Sequence, residues 1–117
     1  MADTHQNTNY QRGDVVAFTD PFKLGDDVSR PFLIINNDVA PFVDEQYIAV
    51  ALTTTPWSLA HPLHEKVWER GRPGEPSYAL PWSVHSPRHE DATRHFGHIR
   101  EKVVDMIVDE LQTFISA

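Results

Sequence analysis

The chain contains no cysteine, and it has only five glycines and two methionines among 117 residues. Without cysteine there is no disulfide, no thiol nucleophile and no thiolate metal site. No stretch approaches the roughly 18 consecutive apolar residues that a membrane-spanning helix requires. Residues 2–11 also lack the apolar core of a signal peptide, which predicts a cytoplasmic protein.

Proline, in contrast, is plentiful. Nine prolines in a chain of this length favour many short elements joined by stiff turns, and therefore a β-rich fold over a helical bundle. A chain of 117 residues is long enough for one core but not for two. Residues 1–11 show no periodic apolar pattern and are predicted to be a flexible arm, so residues 12–117 form the single domain.

Basic residues are in the minority. The formal net charge is −7, which argues against a protein whose whole surface is adapted to nucleic acid. Net charge does not exclude a local cationic patch, however. Arg70, Arg72, Arg88 and Arg94 all lie in the second half of the chain.

Five apolar or alternating segments predict β-strands. They cover residues 15–18, 32–35, 47–52, 65–69 and 77–84. The segment at 65–69 reads as a short edge strand, and Pro81 implies an edge or a bulge in the last strand. Residues 57–64 and 85–95 are predicted to be irregular, the latter with a helical turn.

The carboxyl-terminal segment changes to a helical period of three and four residues. Its apolar positions are Val103, Val104, Ile107, Val108, Leu111, Phe114 and Ile115. Charged and amide side chains occupy the other positions, so an amphipathic helix is predicted to cover the sheet. The predicted fold is mainly β, with five strands followed by one helix.

Arg30 stands between an acidic, glycine-bearing loop and the apolar run that follows Pro31. An arginine at the mouth of a strand can present its planar guanidinium to a phosphate. The next apolar run ends in three threonines at 53–55, so a cation and hydroxyls at the ends of neighbouring strands suit phosphate chemistry on RNA. The alternative is an ordinary strand-start arginine paired with Asp26 or Asp27.

Three stretches of the chain resemble the PemK/Kid/MazF family of toxin ribonucleases. They are Arg-Gly-Asp-Val-Val at 12–16 with Asp-Pro at 20–21, Arg-Pro-Phe-Leu-Ile-Ile at 30–35 with Asn-Asp at 37–38, and Val-Ala-Leu-Thr at 50–53. Residues 77–81 and the final helix match more weakly. The resemblance covers nearly the whole chain from Arg12 onward.

The resemblance implies a small, partly open barrel of the Src-homology-three-like, CcdB/MazF type, usually a homodimer. Members of the family cleave single-stranded RNA without a metal ion or cofactor, and they pair with a cognate antitoxin. In them the residues that match Arg30 and Thr53 lie at the active site. The loop that matches residues 20–29 shapes the groove and changes when an antitoxin binds.

The chemistry assigns a different task to each candidate. Arg30 suits charge stabilisation, because a guanidinium binds two phosphate oxygens but holds its proton too tightly to act as a base. Thr53 can donate a hydrogen bond to phosphate. Where many relatives have an acidic residue and an arginine, this chain has Trp82 and His85. His85 is therefore the candidate for proton transfer, since imidazoles titrate near neutral pH, and Trp82 is a candidate to stack on a base.

Other RNA contacts are predicted at the groove. These candidates are Lys23, Ser29, Thr54 and Arg88. The tryptophans also have a structural alternative as anchors of the core or of an interface. Histidine pairs at 61/64, 85/89 and 95/98 are weak metal signals, because no cysteine accompanies them and Pro62 and Pro87 prevent a regular helix, so no metal site is predicted.

Two other functions remain open at this stage. One is a catalytically silent barrel of the same fold that binds a peptide or a nucleic acid. The other is a toxin directed at gyrase, which acts by protein binding rather than by RNA cleavage.

Overall fold

In the computed structural model, which describes residues 9–19, 28–42 and 45–117, the chain forms one curled sheet of seven strands followed by a helix. The strands are β1 (Asp14–Thr19), β2 (Ser29–Ile34), β3 (Ala49–Thr53), β4 (His61–Leu63), β5 (Trp68–Gly71), β6 (Ser77–His85) and β7 (Ala92–Ile99), and the helix is α1 (Glu101–Ile115). The strand order is β4-β6-β3-β2-β1-β7-β5, and every neighbouring pair is antiparallel. The prediction of a mainly β fold with a carboxyl-terminal helix is confirmed.

The central strands are buried on both faces, which explains their continuous apolar runs. Side chains alternate between the two faces along each strand. One face, which we call the helix face, contributes Val15, Leu33, Val50, Leu52 and Ile99 to a core completed by α1. The other, the second face, carries Val16, Phe18, Phe32, Ile34 and Ala49, with Tyr47 packed against them.

Helix α1 closes the helix face as predicted. Val104 and Ile107 are fully buried, and the neighbouring apolar residues of the stripe pack against the same core. An ion pair between Arg12 and Asp105 joins the first turn before β1 to this helix. Within the described residues, no helix combines the length and the apolar character needed to cross a membrane.

The prediction of five strands was wrong, because β4 and the first half of β7 lie in segments predicted to be irregular. β4 is three residues long and contains Pro62. β7 follows a short 3-10 turn at His89–Asp91, and half of its side chains are polar and at least partly exposed. Neither segment has an apolar run, so only backbone pairing with β6 and with β1 reveals them.

The other predicted strands need smaller corrections. The third begins at Ala49 rather than residue 47, since Tyr47 leaves the strand and its N–H bonds to the carbonyl of Pro87. Residues 65–67 form a 3-10 turn before β5, which is an edge strand as predicted. The predicted bulge at Pro81 is confirmed by the register shift of β6 against β3.

The predicted amino-terminal arm ends on a packed residue. Tyr10 lies against the rings of Tyr47, His89 and His95, and its N–H donates to the Tyr47 hydroxyl over 3.0 Å. That hydroxyl also hydrogen-bonds His89 Nδ1 at 2.6 Å. The chain is therefore anchored on the second face before β1 begins.

Candidate nucleic-acid site

Backbone register aligns Arg30 and Thr53 on neighbouring strands. In the β2–β3 pair, Phe32 lies opposite Ala51, and the same register carried two residues further sets Arg30 opposite Thr53. Thr53 in turn lies opposite Tyr78 of β6, and Tyr78 lies opposite Pro62 of β4. We call these four residues, Arg30, Thr53, Tyr78 and Pro62, the Arg30 row.

The Arg30 row lies on the second face, away from α1. Arg30 is two residues from Phe32, and Phe32 belongs to the second-face core, so their side chains share that face. Arg30 is exposed and makes no hydrogen bond or ion pair with the residues the structure describes. The alternative partners Asp26 and Asp27 lie outside those residues. The guanidinium is thus presented at the surface of a rigid strand.

The hydroxyl of Thr53 is oriented by its own turn. Its Oγ1 accepts a hydrogen bond from the Thr55 N–H over 3.1 Å. A hydroxyl that accepts in this way keeps its proton for donation to another group. Thr53 is half-buried, whereas Thr54 is exposed beyond the end of β3. The threonine therefore adds a hydrogen-bond donor beside Arg30.

His85 shares the second face but not the row. Its ring meets Phe32 edge-on at a centroid distance of 5.1 Å, and its Nε2 lies 3.1 Å from Ser83 Oγ. His85 is opposite Ala49, which is opposite Ile34. Since Ile34 is four residues from Arg30, His85 lies about 13 Å along the strands from the row.

The remaining predicted contacts are dispersed. Ser29 points to the face opposite Arg30, where its Oγ lies 3.0 Å from the Thr93 hydroxyl. Trp82 lies on the helix-face side, edge-to-face with Phe114 at 6.0 Å. Arg88 is exposed in a loop, and its Nη1 forms an ion pair with Glu90 Oε2 at 2.7 Å. Lys23 lies outside the described residues.

A cluster around Asp14 escaped the sequence analysis. The carboxylate is 6% exposed, and its Oδ1 accepts from His98 Nδ1 at 2.8 Å and from His95 Nε2 at 3.2 Å. Its Oδ2 accepts from the Gln11 N–H at 2.8 Å. The sequence signal was the 95/98 histidine pair, which had been weighed only as a metal motif. In the described part of the chain, no group of three or more potential ligands converges to hold a metal ion.

Tyr78 also escaped attention as a site residue. Residues 77–81 lie in a predicted strand and in the weaker part of the resemblance, but nothing local in that stretch reveals which residue of another strand lies opposite Tyr78. The observed register makes it the direct neighbour of Thr53. A polar and aromatic surface thus continues from the cation across three strands.

Solved structures of other proteins share this fold. An endoribonuclease from a mycobacterial species superposes with a TM-score of 0.68 and 19% identity, covering 90% of this chain and 89% of that one. An endoribonuclease in complex with its cognate antitoxin, also mycobacterial, superposes with a TM-score of 0.66 and 19% identity, covering 90% of this chain and 91% of that one. The MazE–MazF structure from Deinococcus radiodurans superposes with a TM-score of 0.67 and 15% identity, covering 92% of this chain and 96% of that one.

These likenesses define the class of the molecule: a curled antiparallel barrel closed by a carboxyl-terminal helix. More particularly, the fold is that of the MazF endoribonuclease structures, so the predicted fold type and the resemblance to the PemK/Kid/MazF family are confirmed at the level of the fold. No protein-family model matches the sequence, and no curated protein matches it.

Proposed function

We propose that this chain is a toxin endoribonuclease that cleaves single-stranded RNA without a metal ion. The observation that carries the proposal is the β2–β3 register, whose extension by two residues beyond the Phe32–Ala51 pair sets Arg30 opposite Thr53. The proposal draws further support from the fold, because structures described as endoribonucleases share it over about nine-tenths of the chain.

The proposed reaction is an internal transfer at phosphorus. The ribose 2′-oxygen attacks the adjacent phosphorus and loses its proton, while the bond from phosphorus to the 5′-oxygen breaks and that oxygen gains a proton. The products are a 2′,3′-cyclic phosphate and a 5′-hydroxyl. Arg30 holds two non-bridging oxygens and Thr53 donates to one of them, and loss of a single such donor costs about 2.7–4 kcal/mol of barrier.

His85 receives a different role from the one the sequence suggested. Proton transfer requires an approach of about 3 Å, directly or through one water. With about 13 Å along the strands between His85 and the Arg30 row, the proposal uses His85 as a contact to a neighbouring nucleotide. The described residues of the row contain no carboxylate and no imidazole, so the proposal assigns neither proton transfer to them.

The test is an RNA cleavage assay in EDTA that compares Arg30→Ala with the unaltered protein. We expect discrete fragments with cyclic-phosphate ends, and a loss of about 10²–10³-fold in rate for the variant. Arg70→Ala is the matched control, because Arg70 is an exposed arginine on the edge strand β5, which pairs with β7 and with no strand of the row. RNA that stays intact at every salt concentration tested overturns the proposal.

A second function is favoured by one specific feature: the described residues of the Arg30 row include no carboxylate and no imidazole. A barrel that binds single-stranded RNA without cutting it needs only the cation and the hydroxyls. Binding that depends on Arg30, together with intact RNA, would establish this second function in place of the first.

The proposal includes two protein partners, an antitoxin and a second copy of the chain. One neighbouring structure is an endoribonuclease with its cognate antitoxin. Trp82, Val84 and Phe114 are each more than two-fifths exposed on the helix-face side of the molecule, an apolar surface that suits a protein partner. Light scattering on the purified protein should give twice the mass of one chain, and the mass of one chain would exclude the homodimer.

A further inference from the structure

Tyr78 is the unassigned residue closest in register to the proposed phosphate site. It lies directly opposite Thr53, and on its other side Pro62 is exposed. The tyrosine is half-buried, and its hydroxyl makes no hydrogen bond with the residues the structure describes. A tyrosine ring carried by a strand loses little conformational entropy on contact and offers an aromatic face to a ligand.

The order of groups along the Arg30 row follows the order of groups in a nucleotide. Neighbouring strands lie about 4.8 Å apart, so the backbones of Arg30 and Tyr78 are separated by about 10 Å, with Thr53 between them. A nucleotide presents a charged phosphate, then a hydroxylated sugar, then a flat base. The row presents a cation, a hydroxyl, an aromatic ring and a proline ring in that sequence.

We propose that Tyr78 is the platform on which the base next to the cleaved phosphate stacks, with Pro62 bordering the platform. This inference rests on the proposed function, since Arg30 must hold the phosphate for Tyr78 to meet the adjoining base. Its consequence is a substrate class: the base must be unpaired and unstacked, and larger bases gain more from the contact. Purines are therefore preferred at that position over pyrimidines.

The experiment removes the Tyr78 ring from the protein and, separately, the stacked base from the substrate. The substrate is a short DNA strand with a single ribonucleotide, carrying either normal bases or an abasic nucleotide on the 5′ or the 3′ side of the cleaved bond. Tyr78→Ala should lower kcat/KM about tenfold on the normal strand. The abasic strand should be about equally slow with the unaltered protein, and Tyr78→Ala should cause no further loss on it.

Two other variants separate stacking from structure. Tyr78→Phe keeps the ring and should retain nearly the full rate. Phe42→Ala removes an exposed aromatic side chain from the turn between β2 and β3, at the end of those strands away from Arg30, and should leave the rate unchanged. An equal loss for Tyr78→Ala on normal and abasic strands overturns the inference, and so does a loss for Tyr78→Phe as large as that for Tyr78→Ala.

A binding measurement distinguishes failure of this inference from failure of the proposed function. Fluorescence anisotropy with a 2′-O-methyl RNA strand measures affinity without cleavage. If the protein cuts no RNA, a weaker affinity for Tyr78→Ala that appears only with the normal strand still supports the stacking platform. An affinity unchanged by Tyr78→Ala overturns it, whatever the cleavage assay gives.

Discussion

At the scale of single residues, the carboxylate of Asp14 joins the turn before β1 to the end of β7. It is almost fully buried and accepts hydrogen bonds from His95, His98 and the Gln11 N–H. Asp14→Ala leaves these donors without their acceptor, so we expect the free energy of unfolding to fall by about 1–3 kcal/mol. Urea denaturation followed by tryptophan fluorescence measures it.

His95→Ala is the control for this prediction. Its side chain is more exposed than that of Asp14 and contributes one of the three hydrogen bonds. Its loss leaves His98 and Gln11 satisfied, so the destabilisation should be smaller than for Asp14→Ala. Equal stabilities of Asp14→Ala and the unaltered protein would contradict a structural role for the cluster.

Single residues also show how far sequence could predict the site. Arg30 and Thr53 could be predicted as neighbours from the sequence because each adjoins an apolar run, and runs of that kind mark strand ends. Tyr78 could not be predicted as their neighbour, because its position depends on the register of a strand that contains a bulge. Between Val50 and Leu52 the partner on β6 changes from Val84 to Ala79, so a step of two residues along β3 corresponds to a step of five along β6. Local patterns carry no information about that shift.

At the scale of elements, the contact between β5 and β7 depends on a glycine. A Cβ built on Gly97 would lie 2.5 Å from the carbonyl oxygen of Arg70 and 2.8 Å from the carbonyl carbon of Gly71. Both are backbone atoms, which a side-chain rotation cannot move. Gly97→Ala should therefore push the edge strand away and destabilise the fold by about 1–3 kcal/mol.

Gly74→Ala is the matched control, because a Cβ at that position meets nothing within 4 Å. Thermal unfolding of both variants by circular dichroism tests the pair. A melting temperature for Gly97→Ala that equals that of Gly74→Ala would mean that β5 is not held as closely to β7 as the structure has it.

Element prediction succeeded where burial leaves a pattern and failed where it does not. β1 to β3 are buried on both faces and were found as apolar runs, while α1 was found by its period. β7 lies between β1 and β5 in the sheet, yet only Gly97 and Ile99 among its residues are fully buried. A strand held mainly by backbone hydrogen bonds leaves little trace in side-chain chemistry.

At the scale of the whole molecule, the charge is arranged in a way that limits electrostatic attraction to RNA. The net charge is −7, and the described strands β1–β4 and β6 contain a single lysine or arginine, Arg30. Three other arginines are neutralised locally, in pairs with Asp105, Glu65 and Glu90. The proposal therefore predicts few phosphate contacts from the described residues, and a larger share of the affinity from base contacts such as the one proposed for Tyr78.

This distribution predicts a shallow dependence of RNA affinity on salt. Each phosphate neutralised on a single strand contributes about −0.7 to the slope of log K against log salt concentration. One or two contacts at Arg30 and its neighbours give an expected slope of about −0.7 to −1.4. Anisotropy titrations of a 2′-O-methyl strand between about 50 and 200 mM salt measure it, and Arg30→Ala should reduce the slope by about 0.7 while Arg70→Ala leaves it unchanged. A slope steeper than about −3 would show that a wider set of cations binds the RNA backbone, and the Arg30 row would then be one part of a larger site.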